Sequence, residues 1–267
     1  MSILACPHCR LALELTTTGA SCGGGHHFDR AREGYLNLLV GGRLTSGSSP
    51  GDTPDSLAAR RRFLSQGFYE PIATALAETV GSPAGALLDV GCGEGYYLAH
   101  LRAGERYGLD IAKAGVRMAA RLLPDCQFVV GSAYRLPVLD ASVEVVVSVF
   151  APHPFDEFAR VLQPGGRWVT VTPGTDHLLE LRPADNPASS ERGERRQQRF
   201  ERRADPPAEA DSAQRVCFTL DLTADAAADL WAMTPLRWQT PNDDVAEARS
   251  VTVDVWVATA PHAFAAR

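Results

Sequence analysis

Residues 87–97 read LLDVGCGEGYY. Leu87, Leu88 and Val90 have the apolar character of a buried strand. Gly91, Gly93 and Gly95 follow at once, so the chain can turn tightly and bring its backbone against a ligand with no Cβ in the way. A dinucleotide-binding loop places its third glycine at position 96, where Tyr96 stands. The spacing here is instead D-x-G-x-G-x-G, starting at Asp89. Nineteen positions after Gly91, Asp110 closes the next apolar segment, YGLD, where a carboxylate can accept hydrogen bonds from both hydroxyls of a ribose. Tyr96 and Tyr97 open the helix after the loop, either as packing residues or as ligand contacts.

Outward from this loop, strands and helices alternate. The predicted strands are ALLDV (86–90), RYGLD (106–110), QFVV (127–130), VEVVVSV (143–149) and RWVTVT (167–172), the pattern of a parallel sheet covered on both faces. RVCFTLDL and SVTVDVWVATA, near the carboxyl end, alternate with polar residues as half-exposed edge strands do. Together these elements resemble the doubly wound seven-stranded sheet of class I methyltransferases, and D-x-G-x-G-x-G resembles the first motif of S-adenosylmethionine-dependent enzymes. The fold expected is therefore α/β, with S-adenosylmethionine as cofactor and Gly91, Gly93, Gly95 and Asp110 around it. GSA (131–133) lacks the acid that many relatives aim at the adenine amino group, which leaves that contact to the backbone or another side chain.

The amino-terminal segment carries a second chemistry. Cys6-Pro7-His8-Cys9 supplies two thiolates from one tight turn, and Cys22 and His26 in SCGGGHHFD close a tetrahedral set with the spacing of a zinc site. His27 is the alternative fourth ligand; His8, wedged between two ligands, suits the role less. Four protein ligands leave no open coordination position, so the ion is structural. A segment this small cannot build its own core, and ligation supplies about 10 kcal/mol of folding free energy. Cys92, Cys126 and Cys217, scattered in apolar surroundings, read as inert buried thiols.

The chain has 267 residues and a net charge of −6, which gives no overall basic surplus for phosphates. Positive charge is local: Arg60, Arg61 and Arg62 are consecutive, and six arginines lie between Arg192 and Arg203. The start MSILACPHC has no charged and apolar leader pattern, and no apolar run approaches the roughly 18 residues of a membrane span, so the expectation is a cytoplasmic protein with no membrane partner. The Gly, Ser, Thr and Pro content of residues 41–54 reads as a flexible connection, and Asp55 to Val80 as two helices interrupted near Gly67 and Pro71. The expected division is a zinc-binding domain over 1–40, linker and helices over 41–80, and a methyltransferase domain over 81–267.

CPHC with CGGGHHFDRAREGYLNLL, then AARRRFL, GFYEPI, LLDVGCGEGYY, VFAP, PGGRWVTVTPGTDHLLEL and AMTPLRW follow one another in an order that resembles the RlmA family. These are zinc-containing methyltransferases of guanine N1 in large-subunit rRNA. The resemblance implies Cys6, Cys9, Cys22 and His26 as zinc ligands, Tyr69, Gly93, Glu94 and His177 as cofactor contacts, and a homodimer. It implies a guanine in a hairpin loop of large-subunit rRNA as acceptor, met as naked RNA or in a ribosomal particle and gripped by the zinc unit with Arg30, Arg32 and Arg60 to Arg62. Met233 and Trp238 are either core or wall of the base pocket. His153 lies near the end of the fourth strand, where this fold meets its acceptor, but no side chain is assigned as catalytic base. Arg182-Pro183 ends the helix that the family continues past Leu181. The alternatives are a small-molecule methyltransferase, which leaves the zinc unit unexplained, and a catalytically silent zinc- and cofactor-binding paralogue.

Overall fold

The computed structural model describes residues 2–40, 52–181, 205–234 and 250–261. The connection predicted over 41–54, the arginine-rich stretch from Arg192 to Arg203, and Trp238 lie wholly or largely outside them. By internal contacts the chain forms two compact units, one of Met1–Pro54, Ala77–Thr170 and Thr259–Arg267, the other of Asp55–Leu76 and Val171–Ala258.

The first unit begins with a small antiparallel sheet of β1 (Leu13–Leu15), β2 (Gly19–Cys22) and β3 (His27–Asp29), in the order β1-β2-β3. Next comes β4 (Leu36–Asn37), then the main strands β5 (Ala86–Val90), β6 (Glu105–Asp110), β7 (Gln127–Val130) and β8 (Val143–Val149). Their order is β4-β7-β6-β5-β8, with every neighbouring pair parallel. All five residues of β5 are buried and six of the seven in β8, because helices cover both faces of a parallel sheet. The helices are α3 (Tyr96–His100), α4 (Lys113–Leu122) and α5 (Phe155–Val161). The sheet of seven strands expected from sequence has eight, because Leu36 and Asn37 pair in register with Val129 and Val130.

Further ties fasten the amino-terminal segment to the residues after β7. The Ala5 N–H donates to the Pro137 carbonyl at 2.9 Å, and Arg10 Nη1 and Nη2 donate to the Leu136 and Val138 carbonyls at 2.7 and 3.3 Å. Arg30 Nη1 donates to Gly34 O and Gln127 Oε1 at 2.6 and 3.0 Å, so this guanidinium, expected to grip RNA, also ties the amino-terminal segment to β7.

The second unit contains most of α1 (Pro54–Ser65) and the first turns of α2 (Glu70–Val80), which follow the two-helix expectation. The break falls at Gly67, whose φ of +80° suits glycine, and Pro71 sits in the first turn of α2, where no amide hydrogen is needed. Phe63 and Leu64 of α1 are buried, and the Phe63 ring meets Phe68 and Tyr69 at 4.7 and 5.2 Å. Strands β9 (Leu162–Pro173) and β11 (Ser250–Pro261) run through both units, and the second unit adds β10 (Ser212–Asp221) in the order β9-β11-β10. Helix α6 (Ala224–Met233) is capped by Thr223, whose hydroxyl accepts the Ala226 N–H at 3.2 Å. Met233 is buried. The Asp229 carboxylate on α6 takes Arg62 Nε at 3.1 Å on both oxygens, so of the three consecutive arginines this one is committed to the fold, while Arg61 points outward. Cys92 is buried as expected; Cys126 is only half-buried, and Cys217, on the alternating edge of β10, is exposed.

Gly108 on β6 tests how tightly the first unit is packed. A Cβ there would stand 2.5 Å from a carbon of the Phe128 ring and 3.0 Å from Cys92 Sγ, all in the fully covered sheet. Gly108→Ala is expected to lower stability by about 1–3 kcal/mol, read as a fall in the urea midpoint; an unchanged midpoint would show that the ring has room to move.

Candidate cofactor and metal sites

The glycine loop joins β5 to α3 at the carboxyl edge of the parallel strands, where α/β sheets bind ligands. Gly91, Gly93 and Gly95 all have positive φ, +85°, +53° and +86°, so each lies where a Cβ costs energy. Space is short as well: a Cβ on Gly91 would stand 2.3 Å from the Ala151 Cβ. Gly115 of α4 comes so close that its own Cβ would lie 3.0 Å from the Gly93 carbonyl oxygen.

Asp110 ends β6 beside this loop and is half-buried. Its carboxylate accepts the Gly93 N–H at 2.9 Å on one oxygen and the Ala112 N–H at 2.7 Å on the other. The acid expected to meet a ribose therefore also shapes the glycine loop. Glu94 is buried within the loop. Asp89 carries no role in the expectations drawn from sequence, yet it is only 2% exposed, and its pKa is pushed up to about 8 by burial and by the neighbouring charges of Asp110 and Glu94. Near neutral pH Asp89 is therefore largely protonated, and the negative charge that favours a cationic ligand such as a sulfonium at this loop comes from Asp110 and Glu94. The signal for Asp89 was its place as the first residue of D-x-G-x-G-x-G.

Gly91, Gly93, Glu94, Gly95 and Asp110 thus come together in the first unit. Tyr69 and His177, the other two expected contacts, belong to the second. Tyr69 is buried on α2's amino-terminal side, and burial raises its phenol pKa. His177 follows β9 in a turn built on β11. The Gly174 and Asp176 N–H groups donate to Asp254 O and Oδ2 at 2.8 and 3.0 Å, and the Asp254 N–H donates to His177 Nδ1 at 3.3 Å. Asp254 is fully buried, and its bonds to Arg215 Nε and Nη2 at 2.7 and 3.0 Å, against the cost of desolvation, hold its carboxyl below the usual range. Directly after this turn comes a single 3-10 turn, Leu179–Leu181.

The turn after β8, beside the glycine loop, carries strain. Phe150 has φ +52°, which costs a residue with a Cβ about 1–2 kcal/mol. His153 follows, half-buried, its ring 6.0 Å from Phe155. Tyr96 and Tyr97 are half-buried and meet edge to face at 5.0 Å.

In the amino-terminal segment, ligand atoms of Cys6, Cys9, Cys22 and His26 all lie within 4.8 Å of one another. Cys22 Sγ is 3.5 Å from Cys9 Sγ and 3.5 Å from His26 Nδ1. Each pair comes from a tight turn. In the first the Arg10 N–H returns to Cys6 O at 2.8 Å; in the second the Gly25 N–H, at φ +82°, returns to Cys22 O at 3.0 Å. A Cβ on Gly24 would stand 3.0 Å from Cys9 Sγ, which explains a glycine beside the ligands. Burial raises the Cys22 pKa, but hydrogen bonds from the His26 and Gly24 amides and side-chain partners outweigh it and bring the thiol to about 6, the anionic form a metal needs. Three thiolates and an imidazole fit zinc. His27 is exposed on β3 and outside the cluster, and His8 stacks on His26 at 4.8 Å between ring centres.

Comparison with known proteins bears on both sites. Residues 4–40 match the family model "RlmA, N-terminal", and residues 88–170 match "Methyltransferase domain". The chain is 36% identical over 253 residues to the 23S rRNA (guanine(748)-N(1))-methyltransferase of Streptomyces fradiae, covering 91% of this chain and 88% of that protein. A Bacillus subtilis (strain 168) relative, YxjB, is 31% identical over 280 residues and is covered to 95%, as is this chain. A Micromonospora griseorubida relative is 37% identical over 204 residues, 67% of this chain and 68% of its own.

The ligand set has a direct test. Protein purified without chelator is expected to hold one zinc per chain by elemental analysis, to lose it in Cys9→Ser and His26→Ala, and to keep it in His27→Ala. Loss in His27→Ala with retention in His26→Ala would reverse the choice of fourth ligand.

Proposed function

The chain belongs to the RlmA family of zinc-ribbon 23S rRNA (guanine-N1)-methyltransferases, and on that premise we propose that it transfers a methyl group from S-adenosylmethionine to N1 of one guanine in a hairpin loop of large-subunit rRNA. The observation that carries this reading is the pairing, in one compact unit, of a Cys3His cluster with the Asp110-braced glycine loop. A small-molecule methyltransferase has use for the loop but not for the ribbon.

Bound S-adenosylmethionine supplies an electrophilic methyl on a cationic sulfur. We assign Gly91, Gly93, Glu94, Gly95 and Asp110, with Tyr69 and His177, to holding it, the ribose lying on Asp110 and the positive charge favoured by the Asp110 and Glu94 carboxylates. Orientation then does most of the catalysis, since guanine N1 has to approach in line with the methyl group. N1 carries a proton in neutral guanine, and that proton leaves to solvent or to an acceptor to which no residue is assigned here. The base has to be unpaired or turned out of its stack to reach the sheet edge. Arg32 and Arg61, both exposed, are the members of the two arginine groups best placed to meet phosphates.

Among the described residues no helix is long and apolar enough to cross a membrane. Thiolate ligands favour a reducing compartment, which agrees with action on rRNA in the cytoplasm. We further propose residues 1–40 as the zinc-binding part, 41–80 as the connection, 81–267 as the transferase, and a homodimer as the working form.

Nucleoside mass analysis of 23S rRNA decides the reading. Deleting the gene is expected to remove one N1-methylguanosine, and the purified enzyme with labelled S-adenosylmethionine is expected to restore it on naked rRNA or ribosomal particles. Label on another base or on protein, or no label on either substrate form, would refute it.

A further inference from the structure

Phe150 is strained, aromatic and exposed at the same edge of the sheet as the glycine loop. Four described non-glycine residues have positive φ, Arg10, Ala141, Phe150 and Leu178, and Phe150 alone among them is aromatic. Its residue is 41% exposed, so burial of the ring does not account for the backbone cost. The turn that carries it is fixed on both sides. Ser148 Oγ donates to Val90 O at 3.0 Å, the last carbonyl of β5, and Ala151 fills the space that a Cβ on Gly91 would need. The left-handed twist at Phe150 thus sits between a pinned strand end and a residue seated on the cofactor loop, and presents the ring beside Tyr97, 6.4 Å away between centres. Tyr134 is more exposed, at 71%, but its backbone is ordinary, and exposure alone assigns it nothing.

We propose that the Phe150 ring is the stacking wall for the flipped acceptor guanine, holding the purine plane while N1 meets the methyl group. The inference rests on the proposed function and names a specificity residue of that site. A flat, rigid apolar surface next to the loop matches a purine, because every base presents a π-face to an aromatic ring. The Ala151–Gly91 contact fixes the distance between that wall and the cofactor loop, so ring and cofactor share one rigid support.

Phe150→Gly separates a substrate role from a structural one, because glycine takes φ +52° without strain. With 23S rRNA from the deletion strain as substrate, Phe150→Gly is expected to melt no lower than wild type and to bind S-adenosylmethionine within about twofold of it. Its kcat/KM for rRNA is expected to fall between about 5- and 150-fold, the range for losing one base–aromatic stack, and Phe150→Tyr is expected to restore most of the rate. Methylation by Phe150→Gly at the wild-type rate would overturn the inference alone. A lower melting temperature would assign the ring to packing, and a matching loss of cofactor affinity would assign it to the loop; either overturns the inference. Wild-type enzyme that leaves rRNA unlabelled would overturn the function and the inference together.

Discussion

Both oxygens of the Asp110 carboxylate accept a backbone N–H, from Gly93 at 2.9 Å and from Ala112 at 2.7 Å, and the cofactor end of the sheet is organised by that pair of bonds. One side chain at the end of β6 fixes the loop after β5 and the entry to α4. The loop can obey only because its residues are glycines: Gly91 yields its Cβ space to Ala151, and Gly115 lets α4 approach the Gly93 carbonyl. A ligand arriving here meets amides and carboxylates already in place, so less of its binding free energy goes into ordering the site.

The amino-terminal ribbon solves a different problem. Its strands β1 to β3 have only three or four residues, and beside buried side chains such as Leu4, Leu13 and Ala20 four candidate ligand atoms converge where a metal would cross-link them. The same segment lends β4 to the main sheet and bonds through Ala5 and Arg10 to residues 136–138, just past β7. The ribbon segment therefore braces the edge of the transferase sheet.

The strands and loop were legible because their signals are local. β-branched apolar runs such as VEVVVSV favour a covered strand, and D-x-G-x-G-x-G with Asp110 nineteen residues on points to a glycine loop beside an acid-ended strand. What stayed hidden depends on partners distant in sequence. Leu36–Asn37 is too short to show a period, and its pairing with β7 is a tertiary fact. Arg62 looked like its neighbours until Asp229, 167 residues away, claimed it. Asp89 is the first residue of the glycine motif, but its raised pKa arises from burial together with the charges of Asp110 and Glu94. His26 and His27 are equivalent by spacing, and the turn at Gly25 separates them. Phe150 stood in the VFAP motif, but its left-handed backbone was hidden, since a positive φ has no sequence signal in a residue other than glycine.

Asp110 braces the glycine loop and, in the proposed function, holds the cofactor. Calorimetric titration of S-adenosylmethionine into Asp110→Ala, with zinc content measured on the same sample, tests it most directly. The expected result is a loss of about 1.5–3 kcal/mol in binding, roughly 10- to 150-fold in Kd, with zinc unchanged. Wild-type affinity in this variant would contradict the account, because the cofactor would then be held elsewhere and the loop would keep its shape without the carboxylate.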